Sequence, residues 1–190
     1  MSAPRLVPRR VINEFVASHR EWIEKALERV GRQQRGREAF YAQLDVSTPA
    51  LRKAAAARLA EIVTPMVERH AAALEDELAG GAALGTSVSR DADTARSVVA
   101  SAAGTSLAPS AISYRCTKTR WGSCNPKTRR INFSTYLLLL PDWCIEHVVV
   151  HELCHLLVPD HSPRFYALMD RHFPRWKEAR RETRRLAGGK

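Results

Sequence analysis

The chain contains no Cys-x-x-Cys pair. Its four cysteines, Cys116, Cys124, Cys144 and Cys154, are too few and too scattered for a disulfide scaffold, and without such a pair there is no zinc ribbon. No apolar run approaches the ~18 residues of a membrane span; the longest, Tyr136 to Leu140, is far too short, so no membrane partner is expected. Arg5, Arg9 and Arg10 are not followed by an apolar stretch with a small-residue cleavage site, so no secretory signal is read. A cytoplasmic location with reduced thiols is expected. Acidic residues are also scarce: 20 Asp and Glu stand against 30 Lys and Arg, a net charge of +10. Residues 71–113 hold no aromatic residue, and Gly80-Gly81, Gly85 and Gly104 sit among Ser, Thr and Ala. That composition predicts a loose linker, with at most a transient helix over 92–102.

What remains divides into legible segments. Residues 9–30 carry helical periodicity through Val11, Phe15, Trp22, Leu27 and Val30. Gly31 to Gly36 predicts a break, although the charged residues there could carry helix on to about Leu44. Ser47-Thr48-Pro49 opens a long alanine-rich helix to about Leu78, capped by Ser47 or Thr48, with Leu51, Leu59, Ile62 and Met66 as its core positions. Ile112 to Thr119 alternates like a strand, Trp121 to Arg129 is rich in turn residues, and Arg130 to Thr135 reads as the returning strand of a hairpin. Two further helices follow Ser162 and Pro174.

The chemistry lies in His151-Glu152-Leu153-Cys154-His155, with His161 six residues on. Residues four apart share one face of an α-helix, ~6 Å apart along its axis, so His151 and His155 can aim at one ion. Zinc accepts imidazole nitrogens at about 2.0–2.1 Å, and Glu152 beside them can act as general base rather than ligand. Trp143, Ile145, Val149, Val150, Leu153, Leu156 and Leu157 form an apolar back to this helix, which Asp142 would cap. Val158-Pro159-Asp160-His161-Ser162-Pro163 ends it and starts the next helix, holding His161 at the junction as third ligand. A fourth position is left for water, as in catalytic sites. His147 lies ~12 Å from His155 along the axis, too far for one ion to reach both, and reads as packed nearby. Glu178 and Glu182 are the alternative third ligands. Cys154 reads as a small buried thiol.

Thr119-Arg120-Trp121-Gly122-Ser123-Cys124, then Arg130-Ile131-Asn132-Phe133, then Ile145 to Val150 running into the histidine motif, then His161 to Tyr166, resemble the YgjP-like metal-dependent hydrolases, relatives of the SprT-like zinc proteases. The resemblance covers about residues 110–188, and the helix around Val11 to Ile23 resembles the one preceding the catalytic part. It implies an α+β, zincin-like fold, mostly helical, with a small sheet beside the histidine-bearing helix. It also implies one zinc ion on His151, His155 and His161, with Glu152 as catalytic base. The implied organisation is a helical part over 1–78, a flexible insertion over 79–109 and a zinc metallopeptidase core over 110–190. The family's usual N-terminal strand pair has no counterpart here, which suggests a start upstream of Met1.

The expected activity is hydrolysis of a peptide or protein substrate by a metal-activated water. Tyr166, Arg120 and Ser123 are candidate donors to the transition state, and Trp121 and Phe165 are expected to wall the site or pack the core rather than contact substrate. A substrate peptide could add as a strand along the hairpin. Two readings stand beside this: a DNA-associated SprT-like protease, and a zinc amidase or other hydrolase. The first draws on basic clusters, Arg29, Arg32, Arg35 and Arg37 near one end and Arg171, Arg175, Lys177, Arg180, Arg181, Arg184 and Arg185 near the other, which would support weak nucleic-acid contact through phosphates.

Overall fold

The computed structural model describes residues 8–83 and 106–188. The expected loose insertion over 79–109 falls largely outside these residues. Helices α1 (Arg9–Ser18), α2 (Arg20–Ala42) and α3 (Pro49–Ala83) lead into strands β1 (Ala111–Arg115), β2 (Gly122–Asn125) and β3 (Arg130–Ser134). A 3-10 turn (Thr135–Leu139) then feeds α4 (Asp142–Cys154), α5 (Pro163–His172) and α6 (Trp176–Leu186). The architecture is α+β, mostly helical with a small sheet. No helix among the described residues is long and apolar enough to cross a membrane.

Helix α4 is the centre. Its two faces are both buried, from Cys144 and Ile145 through Val148, Val149 and Val150 to Leu153 and Cys154, as expected of a helix that is apolar nearly all round. Helix α3 packs along one side of it, with β2, α5 and α6 on the others. The buried stripe of α3 (Ala55, Leu59, Val63, Val67, Ala71, Leu74) recurs at helical spacing against this core. The Thr48 hydroxyl accepts the Leu51 N–H at 3.2 Å, and Pro49 follows at the first helical position, so the expected cap is present. Leu51 lies outside the core, 38% exposed.

Three local expectations are corrected. The stretch Gly31 to Gly36 does not break α2; the interruption falls at His19, whose φ and ψ are −109° and 12°. Two glycines cost about 1 kcal/mol each in a helix, and their neighbours Arg32, Gln33, Gln34 and Arg35 favour it, with Gln34 bonded to Glu38 at 3.0 Å. Asp142 is the first residue of α4, and the capping position belongs to Pro141, with no side-chain capping bond; the Asp142 carboxylate faces the positive end of the helix dipole instead.

The third correction concerns the sheet. Its order is β1-β3-β2, with β1 parallel to β3 and β2 antiparallel to it. The hairpin is therefore β2–β3: β3 is the expected returning strand, and its antiparallel partner β2 lies inside the stretch expected to be only a turn. Asn125 closes it by accepting N–H bonds from Lys127 and Thr128, both at 3.1 Å, and Arg129 adopts the left-handed φ of 55°. Strand β2, an edge strand, is the one that packs on α4.

Candidate metal centre

His151 stands in the last turn of α4 and His155 directly after it, at the C-cap, so helical spacing puts both rings on one side. His161 arrives from the short connection to α5, where Pro163 sits at the first helical position. The Nε2 atom of His151 lies 3.2 Å from Nε2 of His155 and 3.2 Å from Nε2 of His161. One ligand atom from each ring falls within 4.8 Å of the others, and no other such group occurs among the described residues. Phe165, fully buried on α5, supports the cluster from beneath, with ring centroids 4.9, 4.6 and 4.8 Å from His151, His155 and His161.

The protonation pattern suits a cation. Val158 C=O lies 3.0 Å from His155 Nδ1, so that nitrogen carries the proton and donates it. A neutral imidazole has one N–H, which leaves His155 Nε2 with a bare lone pair facing the cluster. Burial, reinforced by His155, His147, His161 and Arg180, pushes His151 down to about 3. Burial also lowers His155, against the pull of its Val158 bond. Neutral rings with converging lone pairs are what a metal requires of histidine. Two nitrogens bound at 2.0–2.1 Å with a tetrahedral angle lie about 3.3 Å apart, close to the separations here. The residues present fit a metal ion.

Glu152 follows His151 in α4 and is 5% exposed. Burial pushes its carboxyl up to about 8, against the opposing charge of Arg120. A cation on the histidines would draw it back down. Its carboxylate rests against β2 at Gly122. An added Cβ there would lie 2.5 Å from Glu152 Oε1 and 2.7 Å from its Cγ, so only glycine leaves room. His151, Glu152 and His161 open onto one cavity of about 650 Å³.

The remaining candidates separate cleanly. Arg120, Trp121, Phe165 and Tyr166 line that cavity. Ser123 does not; its hydroxyl accepts from Asn132 Nδ2 at 3.3 Å. His147 lines the cavity beside His151, ring centroids 6.1 Å apart, and burial with Arg180 pushes it down to about 4. Glu178 and Glu182 stand elsewhere on α6, bonded to Arg175 and Arg185 at 3.1 and 2.8 Å. The Cys154 thiol is fully buried and pushed up to about 12, chiefly by burial and then by Glu77. The close fit of Gly122 to Glu152 and the Val158 carbonyl were not foreseen, whereas Phe165 walls the site as expected. The Trp-Gly-Ser run offered the only hint of the first, since a glycine inside a strand signals close approach.

No curated protein and no solved structure matches the chain significantly. A family model does: the YgjP-like metallopeptidase domain matches residues 87–186, a span containing the three histidines and Glu152. This match covers more than half of the 190 residues, and the chain belongs to the YgjP-like metallopeptidase family.

Proposed function

We propose that this protein is a zinc metallopeptidase, with His151, His155 and His161 as the ligands and Glu152 as the general base. The observation that carries this reading is the convergence of three imidazole nitrogens beside a buried carboxylate in an open cavity. Zinc supports it best among the divalent ions because three neutral imidazoles form a familiar zinc donor set. When bound, the ion would lower the pKa of a water toward ~7 and polarise the substrate carbonyl.

The protein's own groups do the rest. His155 is oriented by Val158 and His151 is kept neutral by burial, so both offer lone pairs without first losing a proton. Glu152 accepts the proton of the attacking water and delivers it to the leaving amine. Gly122 lets that carboxylate sit flush against β2. Arg120 and Tyr166 line the cavity and are the donors placed to meet charge growing on the carbonyl oxygen. Strand β2 is an edge of the sheet, next to Glu152, where a substrate backbone can add as a further strand.

The test is an unbiased peptide-library digest by zinc-loaded protein, with Glu152→Gln alongside. Glutamine preserves shape but accepts no proton, so the variant should retain its zinc while hydrolysis falls by about 10²–10⁴-fold. A variant that keeps zinc and cleaves at the wild-type rate would sink this mechanism. A digest with no cleaved peptide, from protein that hydrolyses simple amides, would move the chain to the amidases.

A further inference from the structure

The cavity beside the histidines is lined by Arg37 from α2, Lys118 and Arg120 from the segment between β1 and β2, and Arg180 and Arg184 from α6. Among the described residues, Glu152 is the only acidic one in the lining. Among the described residues, five cations from three separate parts of the chain therefore face one volume lined by a single carboxylate.

Among the described residues, none of the five forms an ion pair. Arginines on neighbouring surfaces behave differently: Arg175, just before α6, pairs with Glu178, Arg185 on α6 pairs with Glu182, and Arg171 pairs with Glu77. Along α6, positions 180, 183, 184 and 187 share the face turned to the cavity, and its carboxylates lie off that face. Lys118 is held without a carboxylate, its ammonium 5.5 Å from the Tyr41 ring centroid and 5.7 Å from that of Tyr136. A further polar group waits there. His147, 8% exposed, lines the same cavity, and its Nδ1 has no hydrogen-bond partner among the described residues. Like charges converging on one cleft raise the local concentration of an oppositely charged ligand and strengthen its binding.

We propose that this cavity selects acidic peptides, binding Asp and Glu side chains that flank the scissile bond through Arg37, Lys118, Arg120, Arg180 and Arg184. The proposal rests on the peptidase reading above and names its substrate class. Arginine's planar fork suits bidentate capture of a carboxylate, which four of the five positions provide.

Two measurements on the full chain test it. The first is binding, with and without added zinc, of matched peptides that carry Asp and Glu around a central Ala–Ala bond, or Asn and Gln in the same places. The acidic peptide should bind at least ~10-fold more tightly at ~50 mM salt, with the difference shrinking at ~200 mM as screening grows. The double variant Arg180→Gln/Arg184→Gln should lose most of that difference, whereas Arg181→Gln, outside the cavity, should keep it. The second is kcat/KM for the same pair with zinc-loaded protein, where the same preference is expected. Equal binding of the two peptides, or a preference that survives in the double variant, overturns the proposal. Cleavage of both at equal rates also overturns it and leaves the peptidase reading intact. Selective binding of the acidic peptide without any cleavage leaves the cationic, acid-selecting cavity standing and counts against the peptidase. A single-stranded oligonucleotide that displaces the acidic peptide at equal concentration, and depends on the same two arginines, overturns peptide selectivity in favour of nucleic acid.

Discussion

Glu152 and Gly122 meet across 30 positions of sequence, and that contact makes a sharp demand on one atom. Gly122→Ala must either move β2 or push the carboxylate aside, because the new methyl would stand 2.5 Å from Oε1. The histidines are positioned by α4 and α5 and should not follow. The expected result is near-normal zinc content with hydrolysis lowered by about 10²-fold, in keeping with the sensitivity of catalysis to ~1 Å misplacement. Zinc loss in parallel with activity would show that the strand, rather than the carboxylate, had moved. The proposed ligands give a complementary pair of variants. His161→Ala should lose zinc and activity together, while Glu178→Ala, which removes only a surface pair with Arg175, should retain both; metal analysis reads the outcome directly. The histidine cluster was legible from spacing because a helix converts a four-residue interval into a shared face. The Gly122 contact was not, because it depends on how a strand packs against a helix far away in sequence.

Helix α3 is held to α4 and to α5 by two similar contacts. Glu146 on α4 takes hydrogen bonds from Arg69 and His70 on α3, both at 2.7 Å. Glu77 on α3 takes them from Arg171 and His172 at the end of α5, the latter at 2.6 Å. Burial works to raise the Glu146 carboxyl, but the His70 and Arg69 bonds outweigh it and hold it below the ordinary carboxylate range. A carboxyl lowered in the folded state contributes stability that is present above its unfolded pKa of about 4.3. That contribution is lost as pH falls through the folded value. Glu146→Gln should therefore cost about 1–2 kcal/mol near neutral pH. The cost should shrink as the pH is lowered past ~4, as read from urea midpoints across the range; an undiminished cost in acid would remove the ionised carboxylate as its cause. Neither contact could be read from sequence, and nor could the sheet order. The alternation of Ile112 to Thr119 and of Arg130 to Thr135 marked strands but not their direction. A parallel pair with the hairpin partner inserted through a Gly-Ser-Cys-Asn strand carries too little apolar signal to anticipate.

At the scale of the whole molecule, four large apolar side chains of α1 and α2 stand largely in solvent: Phe15, Trp22, Leu27 and Val30 are 58%, 65%, 66% and 57% exposed. Sequence periodicity located these residues correctly on a helix, yet periodicity reports a common face and not what, if anything, lies against it. Only the end of α2 reaches the core, where Phe40 meets Trp121 edge-on at 6.3 Å and Tyr41 meets Tyr136 at 4.8 Å. One continuous helix thus passes from a docked end to a solvated one. Its amides should record a gradient of opening free energy rather than a single value. In native-state hydrogen exchange, amides near 9–25 should exchange through cheap local fraying, and those near 38–42 only through openings that involve the core. Uniform strong protection from Arg20 to Ala42 would mean that something covers the free end in solution. The gradient also sets where the chain tolerates loss. Arg37 lies a single turn before the docked residues, so the cationic wall belongs to the cooperative body of the protein while the preceding helical arm opens and closes on its own account.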